Sequence, residues 1–281
     1  MVMKKSYSTL INKKNITSIA IGGFDGMHIA HQQLFKKLDQ NGAIVVIESG
    51  HSNLTPKSNR QEYTHFPVYY YVLDNIKHLE GEEFIKLLKE EFPNLKKIIV
   101  GFDFCFGKNR KYNTLGLKKL FEGEVIVVDE ICDNNLAIHS RYIREFIRVG
   151  NIKKANELLG KNYKIIGQTT KGQGLGKKSF VPTINLTVEN FLLPNEGVYI
   201  TKTIIKDKSY NSVTFLGHRV TTDGSYAIET HLIGEDIINI MGKIQIEFID
   251  KIRENQKFDN FEDLKKQIDK DINNALKYFD K

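Results

Sequence analysis

IAIGGFDGMHIAHQQL, residues 19–34, decides how the first half of the chain reads. An apolar, β-prone run from Ile16 to Ile21 meets Gly22-Gly23, and Gly26 follows shortly after, so a buried strand breaks into a tight turn. A helix is predicted to start near His28, because Ile29, Leu34, Phe35 and Leu38 are spaced to pack on a sheet. His28 and His31 then share one face of its first turn. The unpaired N–H groups and partial positive charge of a helix start favour an anion, phosphate above all. Zinc is the weaker reading: helical metal pairs sit one turn apart with an acidic third ligand, and no Cys or carboxylate joins this pair at such a spacing.

Outward from that turn the same alternation repeats. Ala43 to Ile47 reads as a second buried strand, Glu48 to His65 as a long polar loop, and Phe66 to Val72 as a third strand. Glu82 to Phe92 is an amphipathic helix carrying Phe84, Leu87 and Leu88 on one side, stopped by Pro93. Lys97 to Gly101 is a further strand, then Leu115 to Phe121 a helix and Glu124 to Val128 a strand. Strands alternating with helices predict a parallel α/β sheet, whose ligands sit beyond the carboxyl ends of the strands. Ser140 is placed as the cap of a helix through Ile143, Phe146 and Ile147, and Ile152 to Leu159 forms another that ends at Gly160. The domain boundary is set there, giving 1–160 and 161–281.

Beyond Lys161 the period changes to two. Tyr163 to Thr169, Gly197 to Ile205, Ser212 to Leu216, Ser225 to Ile233 and Lys243 to Lys251 read as strands separated by Gly, Asp or Asn turns, which predicts a small antiparallel barrel. Along Ser225 to Ile233, Ala227, Glu229 and His231 face one way and Tyr226, Ile228, Thr230 and Leu232 the other. Asn260 to Phe279 closes the chain as a helix with Phe261, Leu264, Ile268, Ile272 and Leu276 in an apolar stripe.

The chain has 281 residues, enough for two cores, and 41% are hydrophobic. No run approaches the roughly 18 apolar residues a membrane span needs, and the start lacks a secretion signal. Cys105 and Cys132, outside any metal spacing, suit a reducing cytoplasm. The net charge of +7 comes from lysines scattered among acidic residues, which argues against nucleic acid and fits small polyphosphate substrates.

Gly22-Gly23-Phe24-Asp25-Gly26-Met27-His28-Ile29-Ala30-His31 resembles the G-x-F-D-G-x-H-x-G-H nucleotidyltransferase signature of the bacterial bifunctional riboflavin kinase/FAD synthetase family, with Ala30 at a glycine position. Gly101 to Lys108 is similar to its G-F-D-F-x-F-G-K, and His139 to Arg144 keeps Ser140, Ile143 and Arg144 of its S-S-T-x-I-R. Gly167 to Asn185 resembles the flavokinase loop that ends in P-T-x-N, with Lys177 replacing Arg. Where the family carries T-F-x-P-H-P, only His51 of Ile47 to Ser52 lines up.

The resemblance implies a Rossmann-like, HxGH-type parallel-sheet domain followed by a six-stranded flavokinase-like barrel and a terminal helix. It implies ATP on Gly23, Phe24, Asp25, Gly26, His28, His31 and Ser140, with His28, His31 and Arg144 serving adenylyl transfer to FMN, and flavin beside Asp103, Phe104 and Phe106. In the barrel it implies ATP on Gly172, Gly176 and Lys177, Mg²⁺ on Thr183 and Asn185, Glu229 as base toward riboflavin, and Arg253 near the flavin. Two rival readings are a riboflavin kinase with a degenerate first domain and a non-catalytic flavin- or nucleotide-binding regulator.

Overall fold

Five short β-branched runs pair side by side in parallel: β1 (Ser18–Gly22), β2 (Gly42–Glu48), β3 (Val68–Val72), β4 (Lys97–Gly101) and β5 (Glu124–Val128). Their order is β3-β2-β1-β4-β5, with Ile19 level with Ala43 on one side and Ile98 on the other. The computed structural model describes residues 12–134, 136–170, 181–221, 223–235 and 240–280, which divide into two compact units between Ser140 and Arg141.

In the first unit the sheet is buried on both faces, which is why its strands read as continuous apolar runs. Ile19, Ile21, Val45, Ile98 and Val100 join one core; Ala20, Ile44, Val46 and Ile99 join the other. Helix α1 (Ile29–Phe35) buries Leu34 and Phe35 in the second core. After the single turn α2 (Leu73–Ile76), α3 (Gly81–Glu91) buries Phe84, Ile85 and Leu88 in the first, its start held by a reciprocal Glu80–Glu83 capping box. The side chain of Asn113 caps α4 (Thr114–Leu120), and β6 (Cys132–Asp133) pairs with β7 (Leu136–Ala137). The chain order of the strands reverses between β1 and β4, so the turn after β1 and the segment after β4 leave from neighbouring carboxyl ends at the switch point.

The second unit opens with α5, which runs from Ser140 at the dividing line to Arg148, and α6 (Ile152–Leu159), stopped by Gly160 in the left-handed conformation at φ 71°. Asn156 ties α6 to the strands, donating to Phe248 O and accepting from Tyr163 N. Six antiparallel strands follow: β8 (Tyr163–Thr170), β9 (Ile184–Val188), β10 (Gly197–Ile205), β11 (Lys208–His218), β12 (Tyr226–Leu232) and β13 (Lys243–Arg253). They close as β10-β11-β12-β9-β8-β13. Strict alternation sorts the faces: Tyr163, Ile165, Gly167 and Thr169 of β8 are buried and the residues between them are not.

Helix α7 (Phe261–Phe279), capped by Asn260, lies on Val198, Ile200 and Val213 through Ile272, Ala275 and Phe279. Its buried face is rotated from the predicted stripe: Phe261 is 54% exposed and Leu276 is also on the surface, whereas Asp271 is buried. The rotation has a cause, since Arg253 draws Asp271 inward as an ion partner. Two further expectations need correction. The segment 48–65, read as a long polar loop, contains a 3₁₀ turn at Lys57–Tyr63 and a fully buried Arg60. The strand β9 was hidden from strand counting by the turn-like Pro182 that introduces it. Among the described residues no helix is long and apolar enough to cross a membrane.

Candidate active sites

In the first unit the turn after β1 is held in an unusual backbone path. Phe24 (φ 47°) and Met27 (φ 46°) share the left-handed region with Gly26 (φ 87°), a conformation that non-glycine residues adopt only under constraint. The constraint comes from segment 48–65. The Asp25 carboxylate accepts the backbone N–H groups of Asn53 (3.2 Å), Leu54 (3.0 Å) and Thr55 (2.9 Å), and Gly26 N donates to Thr55 Oγ1 at 2.8 Å. Arg60 donates to Phe24 O through Nε and to Glu48 through Nη1 at 3.0 Å. Ser140 Oγ donates to Asp25 O at 2.7 Å, so this hydroxyl serves the turn as well as standing at a helix start.

His28 is the N-cap residue of α1, and its ring stacks on that of His31 at 3.5 Å between centroids. Phe24, buried beneath them, meets His31 edge-on at 5.1 Å. The two imidazoles thus share one face, as their spacing implied; His28 is buried and His31 half-buried. Gly23 has open space where a side chain would stand. After β4 the three phenylalanines part company. Phe106 enters the core, Phe104 packs partly against it, and Phe102 is 44% exposed beside an exposed Asp103. Arg144, half-buried on α5, belongs to the second unit.

In the barrel, Glu229 on β12 stands opposite Asn185 on β9. Arg219, at the end of β11, joins them: Nε and Nη2 donate to Glu229 Oε1 at 2.9 and 2.6 Å, and Nη2 also to Asn185 Oδ1 at 2.8 Å. Its Nη1 donates to Ser225 Oγ at 2.8 Å. Thr183 lies two residues before Asn185 and is exposed, and His231 Nδ1 donates to Pro182 O at 2.8 Å. Gly172, Gly176 and Lys177 lie outside the described residues. Arg253 makes a paired contact with Asp271, whose carboxylate also accepts from Gln267.

Two groups of residues were not foreseen as clusters. Glu196 accepts from His218 and Asn255; although burial works the other way, these bonds hold its carboxyl below the usual range. Inside the barrel, Thr201, Thr203, Ser212, Thr214 and Thr230 are fully buried and bonded to one another. Their signal in the sequence was polar residues at alternate positions of β10 and β11, with one more on the otherwise apolar face of β12.

A family model described as Riboflavin kinase matches residues 159–279, and one described as FAD synthetase matches residues 51–142. The bifunctional riboflavin kinase/FMN adenylyltransferase of Buchnera aphidicola subsp. Acyrthosiphon pisum is 33% identical over 95% of this chain and 96% of its own. The chain belongs to the bifunctional riboflavin kinase/FMN adenylyltransferase family. The Haemophilus influenzae member is 29% identical over 93% of this chain and 94% of its own. A solved structure titled a macrolide-efflux protein from Streptococcus pneumoniae shares the fold with a TM-score of 0.82 at 26% identity, covering 92% of this chain and 95% of that one.

As a member of this family the chain carries both family domains, and the Arg219, Glu229 and Asn185 cluster falls within the residues matched as Riboflavin kinase. The turn bearing His28 and His31 lies upstream of the residues matched as FAD synthetase, whereas Thr55, Arg60 and Ser140, which brace it, lie within them. A magnesium ion suits the donors at the barrel: the Thr183 hydroxyl and Asn185 amide oxygen are hard, neutral ligands of the kind that hold Mg²⁺ when phosphates supply the rest. Among the described residues no group of three His, Cys, Asp or Glu forms a separate metal site.

Proposed function

We propose that this chain makes FAD in two ATP-dependent steps, phosphorylating riboflavin to FMN in the barrel and adenylylating FMN in the first domain. The observation that carries the kinase step is the strand pairing that sets a carboxylate, Glu229, across from Asn185 at the mouth of the PTxN segment. Glu229 takes the proton from riboflavin's terminal hydroxyl as that oxygen attacks the γ-phosphorus of ATP, and ADP leaves. Thr183 and Asn185 would hold a magnesium ion, which would supply charge to offset that of the phosphates. Gly172, Gly176 and Lys177 are assigned to the nucleotide, and Arg253, paired with Asp271, to the flavin.

In the adenylylation step the phosphate of FMN attacks the α-phosphorus of ATP and pyrophosphate leaves. Such transfers need placement and charge neutralisation rather than a covalent nucleophile. His28, His31 and Arg144 supply the donors, Gly23 and Gly26 let backbone approach the nucleotide, and Phe24, Asp25 and Ser140 shape the turn. Asp103 and Phe104 line the flavin side, while Phe106, buried in the core, supports them from behind. We assign the adenylyltransferase to residues 1–160 and the kinase to 161–281, acting in the cytoplasm on small molecules, without nucleic acid or membrane.

The test follows riboflavin, FMN and FAD by chromatography after ATP and Mg²⁺ are added to the pure protein. Glu229→Gln should abolish FMN formation yet leave adenylylation of supplied FMN, and His31→Ala the reverse. FMN accumulating from the unaltered chain with no FAD would make it a kinase alone. Binding of flavin without turnover of either kind would make it a regulator.

A further inference from the structure

The guanidinium of Arg219 sits on the oxygens that the kinase chemistry needs open. Its Nη2 is shared between Asn185 Oδ1 at 2.8 Å and Glu229 Oε1 at 2.6 Å. The Arg219 and Glu229 side chains are 17% and 24% exposed, so solvent screens the pair only in part. A divalent ion bound to the same amide oxygen would meet a positive nitrogen at close range, and like charges there repel strongly. One amide oxygen does not serve both cations at full strength. The turn offers the guanidinium a second berth, since Nη1 already donates to Ser225 and Asp223 Oδ2 stands 3.8 Å away. With a carboxylate on each side, the guanidinium has a second acidic group within reach of the place it now fills, and a shift between two such partners is how switching elements work.

We propose that Arg219 is an internal cation that fills the place between Asn185 and Glu229 and yields it, withdrawing toward Asp223, when a divalent ion arrives with nucleotide phosphates. The inference rests on Thr183 and Asn185 being the pair that holds the metal. Its consequence is coupling: the metal alone is held poorly, and metal with nucleotide is held well, because the phosphates compensate the charge the arginine would otherwise oppose.

The experiment titrates Mn²⁺ alone into the full chain, reading free ion by electron paramagnetic resonance, with Asn185→Ala defining the part that belongs to the barrel. Arg219→Met should raise the Asn185-dependent affinity roughly tenfold, a modest share of the repulsion between two such charges. Arg219→Gln should shift it the same way if the methionine disturbs packing, with circular dichroism verifying that each variant is folded. In the unaltered chain a non-hydrolysable ATP analogue should strengthen the same Mn²⁺ site. Variants that bind Mn²⁺ no more tightly than the unaltered chain, or an analogue without effect on it, would overturn the proposal. FMN formation by the unaltered chain is measured separately: its absence removes the kinase reading, while FMN formed with unchanged Mn²⁺ affinities removes only the role given to Arg219.

Discussion

Replacing Thr230 by valine tests how the barrel interior is held together. Thr201, Thr203, Ser212, Thr214 and Thr230 form a closed circle of hydroxyls at 2.8 to 3.0 Å, sealed from solvent. Thr214 donates to Thr230, and since each hydroxyl brings one proton, that bond sets the direction of the rest: Thr230 to Thr203, Thr203 to Ser212, Ser212 to Thr201, and Thr201 to Thr214. Valine keeps the shape but removes two bonds, leaving Thr214 with a buried donor and Thr203 with an unused acceptor. Two lost bonds at about 1 kcal/mol each and a stranded donor at about 1–2 kcal/mol, less about 0.8 kcal/mol for the added methyl, come to a loss of about 2–3 kcal/mol.

A closed circle makes a sharper prediction than the single value. Thr203→Val with Thr230→Val loses the bond between them only once and strands only one donor, so the pair should cost about 2–3 kcal/mol less than the sum of the two single changes. The assay is urea unfolding of the full chain followed by circular dichroism, since the chain has no tryptophan. Hydrogen exchange of peptides from 197–232 assigns the barrel transition, because two units need not unfold together. A cost below about 0.5 kcal/mol for Thr230→Val, or strictly additive costs, would refute the reasoning, which requires the hydroxyls to have no partners but one another.

Two more outcomes follow from buried charges. Burial, with a smaller contribution from Lys164, pulls Lys161 down to about 7. A lysine lowered by folding penalises the folded state fully below that value and not at all above its ordinary 10.5, so stability should fall as pH drops through this window. Lys161→Met should therefore stabilise the chain at neutral pH by more than it does near pH 10; an equal gain at both ends would count against it. In the first unit, Asp25→Ala removes the acceptor of three backbone N–H groups and should cost about 2–4 kcal/mol, with faster hydrogen exchange across 50–60. Unchanged exchange there would mean that Thr55, Arg60 and Ser140 brace the turn without the carboxylate.

The parallel sheet was legible because both of its faces pack against a core and the apolar residues of its strands run unbroken, as in Lys97–Gly101 and Glu124–Val128, whose limits matched the expectation. The helix stop at Gly160 was equally local, a left-handed residue that glycine fits best. Less legible was whatever depended on partners far away in the chain. Asp25 read as a ligand-binding residue of a signature, and its carboxylate proves to be held by residues 28 to 30 positions later. The stripe of α7 was misplaced because hydropathy does not register that Arg253 would bury Asp271.

Periodicity and signature spacing by themselves determined an α/β sheet followed by a barrel, the joint placement of His28 and His31, and the face of β12 that carries Glu229, because such features depend on neighbours within one turn or one strand. Only the tertiary structure decided which groups close on them. The Arg219 bridge, the brace of segment 48–65 on the histidine turn and the circle of barrel hydroxyls arise where separate strands meet, and the energy of a buried polar group depends on partners that local sequence does not name.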